Sequence, residues 1–270
     1  MKVAISPAAV PSASYRRSLR RAQRNRLIAS AAAFAFLLIG WQLFSLSQPA
    51  YVFPSLPHVF QDIAGFASDG ILWSATFATV KSVAAGAFAS LVIGTLAGFA
   101  LKKYESFFGP LLNFAQTVPY VVWALMSMIW FGLTQASVIF TIFIAGFTII
   151  AFNVAAGLQQ VDQQLIEMGV SVRANSFMTF RHITLPSLTP YLVSGSRTMV
   201  AVCWKIVVLA ELFAGGASGG GIGYNLYVGW EFNRTNEVFA WTVWLVVLML
   251  LTDWLVIAPI ARLANRWKKS

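Results

Sequence analysis

Six runs of about twenty apolar residues recur along this chain, far more than a soluble core of this size could cover. They lie at 27–46, 75–101, 109–132, 136–158, 188–214 and 238–261. Each is long enough to cross a bilayer as a helix, which satisfies its own backbone hydrogen bonds where no water is available. Only 10% of the residues are charged, against roughly 25% in an ordinary soluble domain. The pattern predicts an all-α, polytopic membrane protein with about six transmembrane helices. The single cysteine, Cys203, excludes an intramolecular disulfide and a cysteine-based zinc cluster. Its apolar neighbours mark it as packing.

The net charge of +10 is not distributed like a nucleic-acid surface. Lys2, Arg16, Arg17, Arg20, Arg21, Arg24 and Arg26 precede the first run, and Arg262, Arg266, Lys268 and Lys269 follow the last. Lys102, Lys103, Arg173 and Arg181 lie in connections on that same side, whereas the opposite side holds Arg234 and, near the mouth of the second span, Lys81. By the positive-inside rule, both termini are expected in the cytoplasm. The first run ends on bulky Trp41, Leu43 and Phe44 rather than on small residues, so it reads as a retained anchor, not a cleaved signal.

This divides the chain into a basic segment 1–26, a first transmembrane helix 27–46, an outer loop 47–74, a core 75–262 and a basic tail 263–270. Pro49, Pro54 and Pro57 are expected to break any long helix in the outer loop. A second outer connection, Gly215–Gly223, is glycine-rich but lacks the Gly-Lys-Ser/Thr ending of a phosphate loop. It suits either a loop that repacks when a gate moves or a plain loose connection.

The one substantial cytoplasmic connection, 159–187, is amphipathic. Val161, Leu165, Ile166, Met168, Val170 and Val172, then Phe177, Phe180, Ile183 and Leu185, alternate with polar residues up to Pro186. Two short helices with a break near 173–176 fit this pattern. Such a pair is either a docking element for a cytoplasmic partner or an interfacial element lying on lipid.

Ionisable residues at membrane depth carry a functional expectation, and the fifth run has three: Arg197, Lys205 and Glu211. At helical spacing Arg197, Ala201, Trp204, Val208 and Glu211 form one stripe, with Lys205 turned about 100° away. The stripe is expected to face other helices or a water-filled path. Arg197 reads equally as half of a structural ion pair. Lys205 reads as a counter-charge for a transported anion, as a partner of Glu211 from a second copy, or as a snorkelling side chain. His58 and His182 have no second ligand at metal spacing, and no catalytic constellation is visible, so neither a metal site nor an enzyme activity is expected.

At several points the sequence resembles the permeases of bacterial binding-protein-dependent ABC importers, in the nitrate, sulfonate, taurine and bicarbonate branch. The docking segment of that family reads Glu-Ala-Ala, three residues, Gly, nine residues, Ile-x-Leu-Pro. Here Glu167-Met168-Gly169 and Ile183-Thr184-Leu185-Pro186 stand at its two ends with the spacing kept. Phe53-Pro54-Ser55, Thr79-Val80-Lys81, Trp130-Phe131-Gly132, Asn153 to Leu158, Gly195-Ser196-Arg197, Trp204, Ala210-Glu211, Gly221-Ile222-Gly223-Tyr224 and Asp253 extend the match over roughly 50–267. Three positions depart from it. Met168-Gly169 replaces two alanines, Gln135 replaces a frequent glutamate, and Arg173 replaces the docking-loop glycine. Arginine resists the left-handed turn a glycine permits by about 1 kcal/mol, so the turn is expected to move to Asn175.

The resemblance implies a type I ABC importer permease fold with a cytoplasmic coupling-helix segment, in the bacterial inner membrane. It implies ATPase coupling through Glu167, Met168, Gly169, Arg173, Ala174, Phe177, Ile183, Leu185 and Pro186. It also implies a translocation path or gate using Lys81, Trp123, Arg197, Trp204, Lys205 and Glu211. The implied partners are two cytoplasmic ABC ATPase subunits, a second permease copy and an outer solute-binding protein. No cofactor is expected on this chain, because ATP and Mg would be bound by the ATPase. The implied substrate is a small anion such as a sulfonate, taurine, nitrate or bicarbonate, with a pyrimidine-type vitamin precursor as the alternative. A secondary transporter is disfavoured because no internal repeat or broken midplane helix is seen in the sequence. A purely anchoring subunit would leave the charged fifth run unexplained.

Overall fold

The computed structural model describes residues 13–215 and 220–259, which are helices and turns with no strand among them. The expected basic tail, the first twelve residues and Gly216–Gly219 of the glycine-rich loop lie outside the described residues. Eleven helices follow in order: α1 Ala13–Ser47, α2 Leu56–Ser68, α3 Ile71–Lys103, α4 Glu105–Thr117, α5 Tyr120–Phe131, α6 Gln135–Gln159, α7 Gln163–Ser171, α8 Ser176–Thr179, α9 Leu185–Ala214, α10 Ile222–Glu231 and α11 Thr235–Thr252. Two π-helical turns, Phe180–Thr184 and Asp253–Ile257, precede α9 and follow α11.

The chain divides into two compact units at His58. In the first, the connection after α1 folds back on its helix. The Trp41 indole N–H donates to the Pro54 carbonyl at 3.0 Å, the Gln42 Oε1 accepts from Leu56 N at 3.2 Å, and Phe44 meets Phe53 edge-on. The prolines do not keep the outer connection free of helix. Pro57 sits in the first turn of α2, where a missing N–H breaks no helical bond.

The second unit is built on α3, α6 and α9. Helix α6 lies between the other two, and most of the fully buried side chains belong to this trio, Ile142, Ile150, Val154 and Val207 among them. Lipid offers little hydrophobic drive for helices to associate, so close backbone approach and interhelical hydrogen bonds hold such a trio together. A Cβ on Gly98 of α3 would sit 2.5 Å from Val154 Cβ and 2.8 Å from the Ala151 carbonyl of α6. On α9, a Cβ on Gly195 would sit 2.9 Å from Asn153 Cβ. The Ser90 hydroxyl donates to the Phe143 carbonyl at 3.1 Å, and Gln135 donates to Ser82 at 3.3 Å.

Among the described residues, four helical stretches are long and apolar enough to cross a membrane: 28–47 within α1, α3, α6 and 235–255. The expected fifth run is a continuous 30-residue helix, α9, made more polar by Arg197, Lys205 and Glu211. The expected third run, 109–132, is not one straight helix. It is α4 and α5, bent by 95° at Val118-Pro119. Proline forces the residue before it out of the helical region, and Val118 is extended at φ −66°, ψ 124°. The bend is clamped by the Trp123 indole N–H, which donates to the Ala115 carbonyl at 3.1 Å. The expected third run is therefore a bent pair of helices.

Candidate functional site

The 159–187 connection forms the two short helices expected of it. Asp162 caps α7, its carboxylate accepting from Gln164 N at 2.8 Å, and Asn175 caps α8 by accepting from Met178 N at 2.8 Å. The turn between them did not move to Asn175. Arg173 itself takes the left-handed conformation at φ 54°, while Asn175 stays extended at φ −75°. Two hydrogen bonds hold Arg173 there: Ala174 N donates to the Gly169 carbonyl and Arg173 N to the Val170 carbonyl, both at 2.9 Å. This is the double-bonded C-terminal cap that usually employs glycine, formed here with arginine because Asn175 is engaged as an N-cap.

Of the nine expected coupling residues, Glu167, Met168, Arg173, Phe177, Leu185 and Pro186 are exposed, Ala174 and Ile183 half-buried, and Gly169 buried. Gly169 is where α7 rests on the following segment: a Cβ there would lie 3.5 Å from Ile183 Cδ1 and 3.7 Å from Thr179 Oγ1. An alanine would fit at that distance, so the departure from the family's alanine leaves the packing intact. Val170, Val172 and Phe177 are each about two-thirds exposed or more, an apolar surface that no other described residue covers. Beyond α8 the π turn widens the helix at Pro186, which has no N–H to donate, and Leu185 N reaches back to the Phe180 carbonyl.

On α9 the expected single stripe divides. Trp204 and Glu211 are each 3% exposed and face the bundle, whereas Arg197 and Ala201 face away from it. Lys205 joins the outward side: Ser194, Thr198, Ala201 and Lys205 follow one another at helical spacing and are all exposed. Arg197 pairs with Asp253 at 3.2 Å, two half-exposed groups from α9 and the turn after α11. Together with Val200, Ala201, Trp204, Met249, Leu250 and Thr252 they line a cleft of about 240 Å³. Lys205 forms no ion pair among the described residues, and Lys81 is exposed on α3. Trp123 belongs to the α4–α5 bend.

Within this chain Glu211 is engaged by α3 and α10. Its Oε2 accepts from the Thr79 hydroxyl of α3 at 3.0 Å and from Gly223 N of α10 at 2.9 Å. Thr79 Oγ1 in turn accepts from Ile222 N at 2.9 Å. The last glycines of the glycine-rich connection are therefore tightly packed. A Cβ on Gly221 would collide with the Glu211 carboxylate, and one on Gly223 would lie 2.5 Å from the Val208 carbonyl. Nothing local in the sequence links Thr79 to a glutamate 132 positions away, so this partner is visible only in the fold.

Residues 90–267 match the family model described as "Binding-protein-dependent transport system inner membrane component". The chain is 31% identical to the putative aliphatic sulfonates transport permease protein SsuC of Bacillus subtilis, over 68% of this chain and 65% of that one. It is 26% identical to the nitrate import permease protein NrtB of Synechocystis, over 84% and 86%. It is 27% identical to the taurine transport system permease protein TauC of Escherichia coli, over 68% and 67%. Among solved structures, an inward-facing MetNI methionine ABC transporter chain superposes with a TM-score of 0.56 at 18% identity, covering 71% of this chain and 93% of that one. The fold is thus the type I ABC importer permease fold that the resemblance implied. With the family model covering well over half its length, the chain belongs to the binding-protein-dependent transport system inner membrane components.

Proposed function

We propose that this chain is the membrane-spanning subunit of an ATP-driven importer of a small anion, sulfonate, taurine, nitrate or bicarbonate in kind. The observation that carries this reading is the α7–α8 element, whose apolar surface has no cover among the described residues. An ATPase subunit supplies that cover, and two of them drive two permease copies between inward- and outward-open states. ATP and Mg are handled by that partner, and an outer binding protein delivers the solute. The outward face of α9, polar and cationic at membrane depth, is unsuited to lipid. It lines the path, with a second copy forming the opposite wall. Residues 1–26 and the tail lie in the cytoplasm of a bacterial cell, a placement the Lys/Arg distribution supports.

Two measurements test this. In proteoliposomes holding the permease, ATPase and binding protein, Lys205→Met should lower ATP-driven anion uptake by about 10- to 100-fold, as for one lost charge-assisted contact of ~1.5–3 kcal/mol. Lys205→Arg should retain part of it. Uptake that needs no ATPase would make the chain a secondary transporter, and full uptake by Lys205→Met would leave Lys205 a snorkelling side chain. For orientation, a cysteine at Ser55 on a Cys203→Ser background should react with a membrane-impermeant thiol reagent in spheroplasts. One at Ser171 should react only after lysis, and the reverse pattern would invert the topology.

A further inference from the structure

We infer that Glu211 is the latch of the outer gate: its buried carboxylate pins α10 across α3 and α9, and opening toward the outside requires it to release the α10 backbone. The inference rests on the importer reading and orientation proposed above. Its geometric basis is a directed chain of hydrogen bonds, in which Ile222 N donates to Thr79 Oγ1, which donates to Glu211 Oε2, which also accepts from Gly223 N. One side chain from each long helix therefore holds the first turn of α10. No cation pairs with this carboxylate among the described residues, although it is 3% exposed. A permanent brace would be built more stably from apolar packing, since a buried carboxyl group is expensive to keep. The carboxylate is instead matched to the N–H groups at a helix N-terminus, an interaction lost at once when that helix moves.

The surroundings of α10 suit such a motion. The helix is ten residues long and is bounded by two left-handed residues, Gly220 at φ 65° and Asn233 at φ 54°. Gly221 and Gly223 allow the close approach to α9 that the latched state needs. When latched, α10 seats its own first residue, Ile222, against Leu72, Ala75 and Trp241, where it is fully buried. Release of the latch would uncover this cluster toward the outside.

The test reads exposure of Ile222 in spheroplasts, so it does not require the partner subunits to be purified. Ile222→Cys on a Cys203→Ser background is treated with a membrane-impermeant maleimide in spheroplasts, with Ser55→Cys as the reference. Slow labelling is expected with Glu211 intact, and at least about tenfold faster labelling with Glu211→Ala, the change expected for loss of a charge-assisted contact. Thr79→Val, nearly the same size, should also accelerate labelling and serves if Glu211→Ala fails to accumulate. Glu211→Gln keeps the acceptor oxygen and should fall between. A merely structural Glu211 would lower the thermal midpoint of the detergent-purified variant without selectively exposing position 222. Equal rates in all four backgrounds would overturn the latch and leave the importer reading intact. Labelling only after lysis would overturn the latch together with the orientation it rests on.

Discussion

Deletion of residues 167–176 is expected to reduce substrate-stimulated ATP hydrolysis by the assembled transporter to its unstimulated rate, while the chain still inserts in the membrane. The deleted stretch removes most of α7, the Arg173 turn and the Asn175 cap, but nothing of the α3–α6–α9 trio. Folding and docking are thereby separated. Covering a single large side chain such as Phe177 or Met168 contributes about 1.5–3 kcal/mol, and both are exposed here. Losing the shelf that presents them removes several such contributions at once. Glu167→Arg, a charge reversal on the exposed side of α7, should give the same loss without shortening the chain. ATP hydrolysis by the deletion variant that still responds to substrate would show that the ATPase docks elsewhere.

Gly98→Leu is expected to be the most damaging single change in the core, destabilising the purified chain by about 3 kcal/mol or more. The added side chain would begin 2.5 Å from Val154 Cβ and 2.8 Å from a main-chain carbonyl. Relief would require α3 and α6 to separate along their whole contact, because packed helices shift as units rather than yielding at one residue. Gly65→Ala on α2, where nothing lies within 4 Å of the new Cβ, should leave the thermal midpoint unchanged or slightly raised. Thermal unfolding of both variants in one detergent makes the comparison, and an unaltered midpoint for Gly98→Leu would refute the close-packed reading of this core.

Much of the α7–α8 element was legible in the sequence. The amphipathic pattern over 161–185 and the polar break after Val172 are local signals, and two helices formed where they pointed. The choice of turn residue was not legible. Asparagine serves both left-handed turns and N-caps, and Asn175 had the right chemistry for either. Only the distances to Met178 N and to the Gly169 carbonyl decided that it caps α8 and that Arg173 takes the strained position. The bend at Pro119 did have a signal, a proline inside an apolar run, but hydropathy alone passed over it. Its 95° angle also depends on the Trp123 clamp, a contact between two helices.

The sequence by itself determined that the chain is a membrane protein and that its long apolar runs are helical. Both follow from one-dimensional quantities, run length and helical period. Only the tertiary structure decided the fate of each polar group on α9. Arg197 found Asp253, Glu211 found Thr79 and the start of α10, and Lys205 was left facing away from the bundle. A helical wheel places residues on a face but does not say what lies opposite. On α9 the partners come from α3, α10 and the turn after α11, up to 132 positions away, and only helix packing brings them within 3.2 Å.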